Sequence, residues 1–449
     1  MRKTLPTLAT VALLAALGAL GSAAPAWAAA GISPARGFAP GHVVVKFDGQ
    51  ERGRTLALPR GAGVRETAAA LRDNPSVDYA VPDYIATASA TFPVPDDSGT
   101  LGLGAEAASA AGDWAFKQWN FLASEAEPGL HVPTSPGGID AIGAWRNLAA
   151  AGRPGARGTT IAVLDTGVAY RTDGTEFARS PDFTAGQFSR GHDFVDDDDL
   201  PLDENGHGTH VAGTIAERTG NGIGLTGIAF NARLMPVRVL DSQGRGRASE
   251  IAKGIRFAVR HGADVINMSF NFGCGKPVPE VDEALRDAYA RGVVTVGSVG
   301  NLGAETCVSP PATGPRVIGV GGTTEGGCLG SYSLAGKGID LLAPGGGRPV
   351  ANCPSISARP IYQVTLRRGS TNVFAIPGDY VGTSMAAAHV SAVAALVLAA
   401  KTYAPAKTGK ARVDAVAKQL RQTARSLGLP RIRQGAGLIN ADAATSPAP

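Results

Sequence analysis

Short runs of apolar residues alternate with segments of helical spacing over residues 115–445. The runs of strand length are Thr160–Leu164, Leu234–Leu240, Val265–Met268, Val293–Val296 and Val317–Val320. Between them, Ile251–Arg260 and Val281–Ala290 place apolar residues on one helix face. Uniformly apolar strands separated by helices are typical of a parallel sheet that is buried on both faces. We therefore expect an α/β domain with a mainly parallel central sheet and helices on both faces.

A smaller pattern precedes this domain. Residues 41–47 and Val77–Val81 are predicted strands, and Thr67–Arg72 is a predicted short helix, so we expect a small α+β unit. The second strand is expected to end at Pro82, because proline has no N–H for a strand ladder. Residues 86–114 are rich in Ala, Gly, Ser and Pro and predict a linker.

The first residues have the pattern of a secretory signal. Arg2 and Lys3 precede an apolar run from Leu5 to Leu20, and Ala26-Trp27-Ala28 fits a cleavage site of small residues. The alternative, a membrane anchor, needs about 20 apolar residues, and this run is shorter. The later apolar stretch, Ala386–Ala400, is short and contains a histidine. We expect a secreted, extracellular protein without a stable membrane anchor.

Composition narrows the class further. The chain has 449 residues, 44% of them hydrophobic, and a net charge of +4 without a basic block, so nothing supports nucleic-acid binding. An even number of cysteines, four, predicts disulfide bonds in an exported protein. Four cysteines allow three pairings. The local pairs Cys274–Cys307 and Cys328–Cys353 are favoured, and no Cys-x-x-Cys pair indicates zinc.

Three polar residues lie in glycine-rich surroundings and together indicate nucleophilic catalysis. Asp165 follows an apolar strand, His207 begins a predicted helix, and Ser384 begins another. Serine needs a base to take its proton, and the base needs a partner that holds its tautomer. Each residue alone is more typical of a turn or a helix cap. The combination is what favours catalysis.

The motifs around these residues resemble those of a known family. Asp165-Thr166-Gly167, His207-Gly208-Thr209-His210-Val211-Ala212-Gly213 and Gly382-Thr383-Ser384-Met385-Ala386 resemble the three active-site motifs of the subtilisin-like serine proteases, in the same order. The resemblance covers about residues 115–445. It implies a secreted serine endopeptidase, with Ser384 as nucleophile, His207 as base and Asp165 as its partner, acting on proteins or peptides.

The resemblance also assigns roles outside the three motifs. Gly300-Asn301 matches the family's asparagine that hydrogen-bonds the oxyanion. Residues 265–270 resemble the strand that pairs with substrate and walls its main side-chain pocket, so Ser269, Phe270 and Asn271 are expected to bind substrate. The family usually has glycine where Asn271 stands, and a side chain there is expected to narrow the pocket or to reshape the substrate-binding edge. Ala388 replaces a usual proline, and residues 297–300 replace usual alanines.

The implied precursor has five parts: a signal peptide over 1–28, an inhibitory propeptide over 29–85, a linker with the maturation site over 86–114, the catalytic domain over 115–445, and a short tail over 446–449. The propeptide is an expected intramolecular inhibitor. We expect a monomer. Two alternatives are a non-catalytic binding protein that keeps the fold, and a dedicated cell-envelope maturation protease.

Three other signals are weaker. The acidic run at 196–199, with Asp193 and Asp203 nearby, is compatible with structural calcium, which the family often binds, but the sequence assigns no ligands. Catalysis is expected to need no cofactor. The Gly-x-Gly-x-x-Gly at 222–227 follows a helix and precedes a strand, the reverse of a dinucleotide site. His210 and His389 are expected to pack or hydrogen-bond rather than to act as acids or bases.

Overall fold

The computed structural model describes residues 38–50, 53–84, 95–101, 113–126, 132–303, 306–403 and 408–446. The chain forms two compact units, Met1–Ala90 and Thr91–Pro449. The predicted signal peptide, much of the predicted linker and residues 447–449 lie outside the described residues.

The first unit is a three-stranded antiparallel sheet with one helix. Its strands are β1 (Phe38–Phe47), β2 (Arg54–Ala57) and β3 (Val77–Tyr84), in the order β2-β1-β3, and its helix is α1 (Val64–Arg72). The helix covers one face of the sheet through a small core of Val43, Val45, Val64, Ala68 and Ala80. This is the α+β unit that the sequence predicts.

Strand β3 does not end at Pro82, so that expectation was wrong. Pro82 lies within the strand and faces Val43 of β1. The strand is at the edge of the sheet, where one side of its backbone needs no partner. A proline is tolerated at such a position because its missing N–H leaves the ladder intact.

The second unit is built on a seven-stranded parallel sheet. In sheet order the strands are β10 (Leu341–Pro344), β9 (Ile318–Thr323), β8 (Val294–Ser298), β7 (Val265–Met268), β4 (Thr160–Asp165), β6 (Arg233–Arg238) and β5 (His192–Asp193). All neighbouring pairs are parallel. The α/β class with a parallel sheet is confirmed. A separate hairpin joins β11 (Thr365–Leu366) and β12 (Phe374–Ala375).

The helices of this unit cover both faces of the sheet. They are α2 (Trp114–Lys117), α3 (Ala141–Ala150), α4 (His207–Ala216), α5 (Ala248–Arg260), α6 (Pro279–Ala290), α7 (Thr383–Ala400), α8 (Gly409–Gln422), α9 (Arg431–Gln434) and α10 (Ala441–Thr445). Side chains alternate along β4. Ile161 and Val163 pack in one core with α3, α4, α7 and α8, while Ala162 and Leu164 pack in the other with α5 and α6.

Helix α7 runs through the larger core and carries apolar residues on every side. A helix that is apolar all round is typical of a buried position. The helix has 18 residues and is long and apolar enough to cross a membrane, yet 89% of it is buried inside the protein. The helix is unbroken at Ala388, where the family usually has proline.

Strand β4 marks the point where the chain changes direction across the sheet. It pairs with β6 on one side and with β7 on the other. Ligands of open parallel sheets bind beyond the carboxyl ends of the strands at such a switch point. A functional site is therefore expected at the carboxyl ends of β4 and β7.

Candidate active site

Asp165 is the last residue of β4 and is fully buried. By the alternation along the strand it points to the same face as Ile161 and Val163, the face that α4 and α7 cover. Its Oδ1 accepts hydrogen bonds from the backbone N of Thr166 at 2.8 Å and from Nδ1 of His207 at 2.7 Å. Its Oδ2 has no hydrogen-bond partner among the described residues. The strand end therefore holds a buried carboxylate against an imidazole.

His207 is the first residue of α4, and a glycine beside it lets the helix approach β4. A Cβ at Gly208 would lie 2.1 Å from the carbonyl oxygen of Gly167, so only glycine fits there. The side chain of Asn205 accepts a hydrogen bond from the backbone N of His207 at 3.2 Å. The glycine and asparagine of the motif thus position the imidazole against Asp165.

The contact with Asp165 decides the tautomer of His207. A carboxylate only accepts, so Nδ1 carries the proton and Nε2 keeps its lone pair. Burial lowers the pKa of His207, but the charge of Asp165, the hydrogen bond to it and the charge of Asp203 together outweigh burial and raise the pKa above 6.5. The imidazole is thereby made a stronger base.

This raised pKa predicts the acid side of the pH–rate profile. If His207 is the base, kcat/KM should fall about tenfold per pH unit below its pKa, with the midpoint above pH 6.5. The sign follows because the protonated imidazole cannot accept the serine proton. Initial rates on a peptide substrate between about pH 5 and pH 9 measure this. A profile that is flat down to pH 5 would exclude His207 as base.

Ser384 is the second residue of α7 and lies against the segment that follows β7. Its Oγ donates to the carbonyl oxygen of Ser269 at 2.9 Å, and Oγ of Ser269 donates to the carbonyl oxygen of Ser384 at 2.8 Å. Because β7 is the neighbour of β4, this brings Ser384 to the strand end that carries Asp165. In this arrangement the hydroxyl of Ser384 is hydrogen-bonded to Ser269. Among the described residues it makes no hydrogen bond to His207.

Asn301 lies three residues beyond β8 and is oriented by the residue before the serine. Its Oδ1 accepts from the backbone N of Thr383 at 2.8 Å and from the hydroxyl of Thr383 at 2.9 Å. The amide nitrogen makes no hydrogen bond to any described residue and can therefore donate. Gly382 has a φ of +149°, and a Cβ there would lie 3.0 Å from Nδ2 of Asn301. Glycine keeps the space beside this donor open.

The backbone N–H of Ser384 is a second donor at this point. It lies in the first turn of α7, where N–H groups have no partner within the helix. The partial positive charge of a helix start favours a developing negative charge. Ser384 and Asn301 thus supply two donors near one serine hydroxyl.

Comparison with known proteins agrees with this geometry. A sequence model of the Subtilase family matches residues 156–437. The chain belongs to this family. Subtilases are serine endopeptidases and need no cofactor for catalysis.

This subtilase is similar to several named proteases. It is 36% identical over 288 residues to Subtilisin BL of Lederbergia lenta, covering 64% of this chain and 91% of that protein. It is 37% identical over 243 residues to the Thermophilic serine proteinase of Bacillus sp. strain AK1, covering 54% of this chain and 53% of that protein, so it spans about half of that relative's length. A protease structure from Pseudoalteromonas arctica PAMC 21717 superposes with a TM-score of 0.59 at 27% identity, over 78% of this chain and 98% of that chain.

Asp203 is a site residue of this subtilase that the sequence analysis did not single out for this role. Its buried carboxylate accepts from the backbone N of Asn205, Gly206 and Thr209 at 2.9 Å each, and from the hydroxyl of Thr209 at 2.6 Å. Burial raises its pKa, which these hydrogen bonds oppose. It thus builds the turn that presents His207. The sequence contains a signal for this turn, because an aspartate two residues before Asn-Gly is typical of an Asx turn.

Most of the acidic run is engaged in ion pairs, whereas Asp198 accepts from the backbone N of Leu200 at 2.7 Å. Arg238 binds Asp193 at 2.7 Å and Asp196 at 2.6 Å, and Asp199 faces both Arg190 and His192. Among the described residues, no three His, Cys, Asp or Glu side chains lie together as metal ligands. The described residues therefore show no cluster of acidic ligands at this run.

A different group of acids is buried with no ion-pair partner in the part of the chain that the structure describes. Both oxygens of Glu217 lack a hydrogen bond of normal geometry among the described residues. Burial, and then the charges of Asp182 and Asp97, raise its pKa well above the usual value, and only the backbone of Val364 opposes the shift. Burial also raises the pKa of Asp182 to about 7 and that of Asp97 to about 6.

Two further histidines have structural contacts. His389 donates from Nδ1 to the carbonyl oxygen of Met385 at 2.8 Å and accepts on Nε2 from Asn120 at 2.8 Å. Nε2 of His210 donates to the carbonyl oxygen of Ile361 at 3.0 Å, and its ring stacks on Tyr380. Burial lowers their pKa values to about 4 and about 3. Both are therefore neutral packing residues near neutral pH, as the sequence analysis expects.

The four cysteines form Cys274–Cys307 and Cys328–Cys353, the two pairs that the sequence favours. The first bond links the loop after β7 to the segment after Asn301. Ser269, Phe270 and Asn271 lie together between β7 and this loop, and Ser269 contacts Ser384 directly. Asn271 instead contacts Ser298, at the end of the neighbouring strand β8.

Proposed function

We propose that this subtilase hydrolyses peptide bonds of proteins through an acyl-enzyme on Ser384. The observation that carries the proposal is the 2.7 Å contact between Nδ1 of His207 and Asp165. This contact leaves a basic Nε2 on His207, which lies near the ends of β4 and β7, as Ser384 does. Nδ2 of Asn301 and the backbone N–H of Ser384 are two donors for the oxyanion, and they complete the set of groups that acyl transfer requires.

The first half of the reaction forms the acyl-enzyme. The hydroxyl of Ser384 turns from the carbonyl of Ser269 toward His207, whose Nε2 takes its proton as Oγ attacks the scissile carbonyl carbon. The carbonyl oxygen becomes an oxyanion that accepts from Asn301 Nδ2 and the Ser384 N–H. Asp165 stabilises the imidazolium. When the intermediate collapses, the C–N bond breaks and His207 gives its proton to the leaving amine.

The second half returns the enzyme to its starting state. His207 takes a proton from water, and the resulting hydroxide attacks the acyl carbon to form a second oxyanion at the same donors. Collapse breaks the bond to Ser384, and the serine oxygen recovers its proton from His207. The products are a carboxylic acid and an amine, so atoms and electrons balance without a cofactor.

Replacing Asn301 by alanine should lower kcat by about 10²–10³ with little change in KM. The donor would act on the oxyanion rather than on the ground-state carbonyl, so the loss belongs in kcat. Steady-state kinetics on one peptide amide measure the effect. Asn231→Ala, an exposed asparagine beside the opposite end of β6, is the control and should match the wild type. A kcat within tenfold of the wild type for Asn301→Ala would remove this residue from the mechanism.

We also propose that the protein is exported as a precursor and that residues 29–85 act as its inhibitory propeptide. The signal-like leader supports export, and disulfide bonds persist in oxidising compartments. The amino-terminal unit has its own sheet, helix and small core, which suits a segment that folds separately and is then removed. Extended segments of unfolded proteins are the expected substrates, because backbone hydrogen bonds along a strand bind peptides without regard to sequence.

Secretion of the full-length precursor and of its Ser384→Ala variant tests self-processing. The wild type should be recovered as a form whose amino terminus lies between Tyr84 and Trp119, by intact mass and terminal sequencing. The variant should retain residues 29–85. Processing of the variant in a host that lacks other proteases would show that maturation is not self-catalysed.

A further inference from the structure

Two wall segments converge on Ser384. One is residues 269–271, whose Ser269 carbonyl holds the serine hydroxyl at 2.9 Å. The other is residues 298–301, where the backbone N of Gly300 donates to the hydroxyl of Thr383 at 3.2 Å. They continue the neighbouring strands β7 and β8, whose pairing ends at Met268 and Gly297. The space between the two walls beyond that pair is called the groove.

A third segment, residues 309–310, is hydrogen-bonded to both walls. The backbone N of Ser309 donates to the carbonyl oxygen of Val299 at 3.1 Å, and the backbone N of Phe272 donates to the carbonyl oxygen of Pro310 at 2.7 Å. Residues 309–310 therefore join both walls, and this segment is called the floor. Because Ser269 contacts Ser384 directly, the acyl residue of a peptide attacked by Ser384 would lie beside the groove.

The side chain of Asn271 bridges the groove. Its Nδ2 donates to the carbonyl oxygen of Ser298, and the hydroxyl of Ser298 donates toward its Oδ1 at 3.2 Å. Both ends of the amide are therefore satisfied by one residue of the opposite wall. Asn271 itself is solvent-exposed, so the bridge lies at the mouth of the groove. A glycine at this position would leave the mouth open.

The loop that carries Asn271 is anchored on both sides. Three residues later, Cys274 is bonded to Cys307, which lies two residues before Ser309 of the floor. Phe270 and Phe272 flank Asn271 and pack partly buried against the smaller core of the sheet. The bridge is thus built on a cross-linked frame, and a large substrate side chain would have to break both of its hydrogen bonds to enter.

We infer that Asn271 restricts the acyl residue of the scissile bond to small side chains, glycine and alanine above all. The inference rests on the proposed function, because it concerns the substrate of the same serine. A large side chain would gain little binding free energy from the groove, because its entry would break the hydrogen bonds between Asn271 and Ser298. A single methylene group in a pocket is worth about 10- to 200-fold in kcat/KM, so a larger difference in side-chain size should change kcat/KM by at least about 10-fold.

The test uses the mature enzyme and three peptide amides that differ only in the acyl residue: alanine, leucine or phenylalanine. The wild type should hydrolyse the alanine peptide about 10- to 200-fold faster, as kcat/KM, than the phenylalanine peptide. Asn271→Gly should raise the ratio of phenylalanine to alanine by a similar factor. Asn271→Ala is the second variant, for the case that glycine loosens the loop. Asn231→Gly, at the opposite end of the sheet, should leave the ratio as in the wild type.

Each outcome decides the inference. Equal hydrolysis of the alanine and phenylalanine peptides by the wild type overturns it while leaving the proposed function intact. A preference for alanine that persists in both Asn271 variants removes Asn271 as its cause. Failure to hydrolyse any of the three peptides, together with no labelling of Ser384 by a fluorophosphonate, rejects the proposed function and the inference with it.

Discussion

Replacement of Ser384 by alanine is expected to lower kcat for peptide hydrolysis by about a million-fold. The hydroxyl is the atom that would attack the carbonyl, and the neighbouring groups cannot substitute for it. A small residual rate over water should remain, because Asn301 and the helix start still stabilise an oxyanion formed by direct attack of water. The rate is measured with a peptide amide at saturating concentration and high enzyme concentration.

The same experiment tests whether Ser384 and His207 act as a unit. His207→Ala should cost about as much as Ser384→Ala, and the double variant should be no slower than either single variant. Ser391→Ala removes a hydroxyl from the same helix, one that donates to Asn267 at 2.8 Å, and should keep the rate within about one order of magnitude. Additive losses in the double variant would mean that the two residues contribute independently.

Replacement of Asp165 by asparagine is expected to lower kcat by about ten-thousand-fold. An amide can donate to Nδ1 of His207, which would move the imidazole proton to Nε2 and leave no base facing the serine. The charge of Asp165 also raises the pKa of His207, so the acid limb of the residual activity should move to lower pH. Steady-state rates at several pH values measure both effects.

A surface aspartate provides the matched control for this variant. Asp173→Asn makes the same chemical change at an exposed ion pair with Arg171 and should leave both the rate and the pH profile unchanged. If Asp165→Asn retained more than about a tenth of the wild-type kcat, the carboxylate would not be what holds the tautomer.

The parallel sheet could be predicted because its strands are buried on both faces. Each predicted strand occurs within a few residues of its expected bounds, and Thr160–Leu164 is extended by Asp165 itself. The edge strands β5 and β10 and the hairpin of β11 and β12 were not predicted. They have two to four residues each, too few to show a period.

The limits of sequence reasoning are clearest at contacts between distant segments. The motifs predict which residues do chemistry, but not that Thr383 would orient Asn301 or that Asp203 would build the turn before His207. The sequence of the acidic run is compatible with a bound cation. In the fold, Arg238, about forty residues later in the chain, forms ion pairs with Asp193 and Asp196 instead. Such pairings depend on strand order, which local patterns do not contain.

Asn271 shows how the two kinds of information combine. Its departure from the family's glycine is visible in the sequence and predicts either a narrower pocket or a reshaped substrate-binding edge. Only the fold shows that its amide reaches Ser298 on the next strand. The sequence identifies the unusual residue, and the structure supplies the partner that makes a substrate preference testable.

The central claim is that Ser384 is an activated nucleophile, and the intact mass of the secreted protein after treatment with a fluorophosphonate tests it most directly. We expect one covalent adduct per molecule of processed wild-type protein, located on the peptide that contains Ser384, and none on the Ser384→Ala variant. Labelling should slow as pH falls through the raised pKa of His207. A correctly processed wild-type protein that takes no label, or that is labelled equally after Ser384 is replaced, would contradict the account.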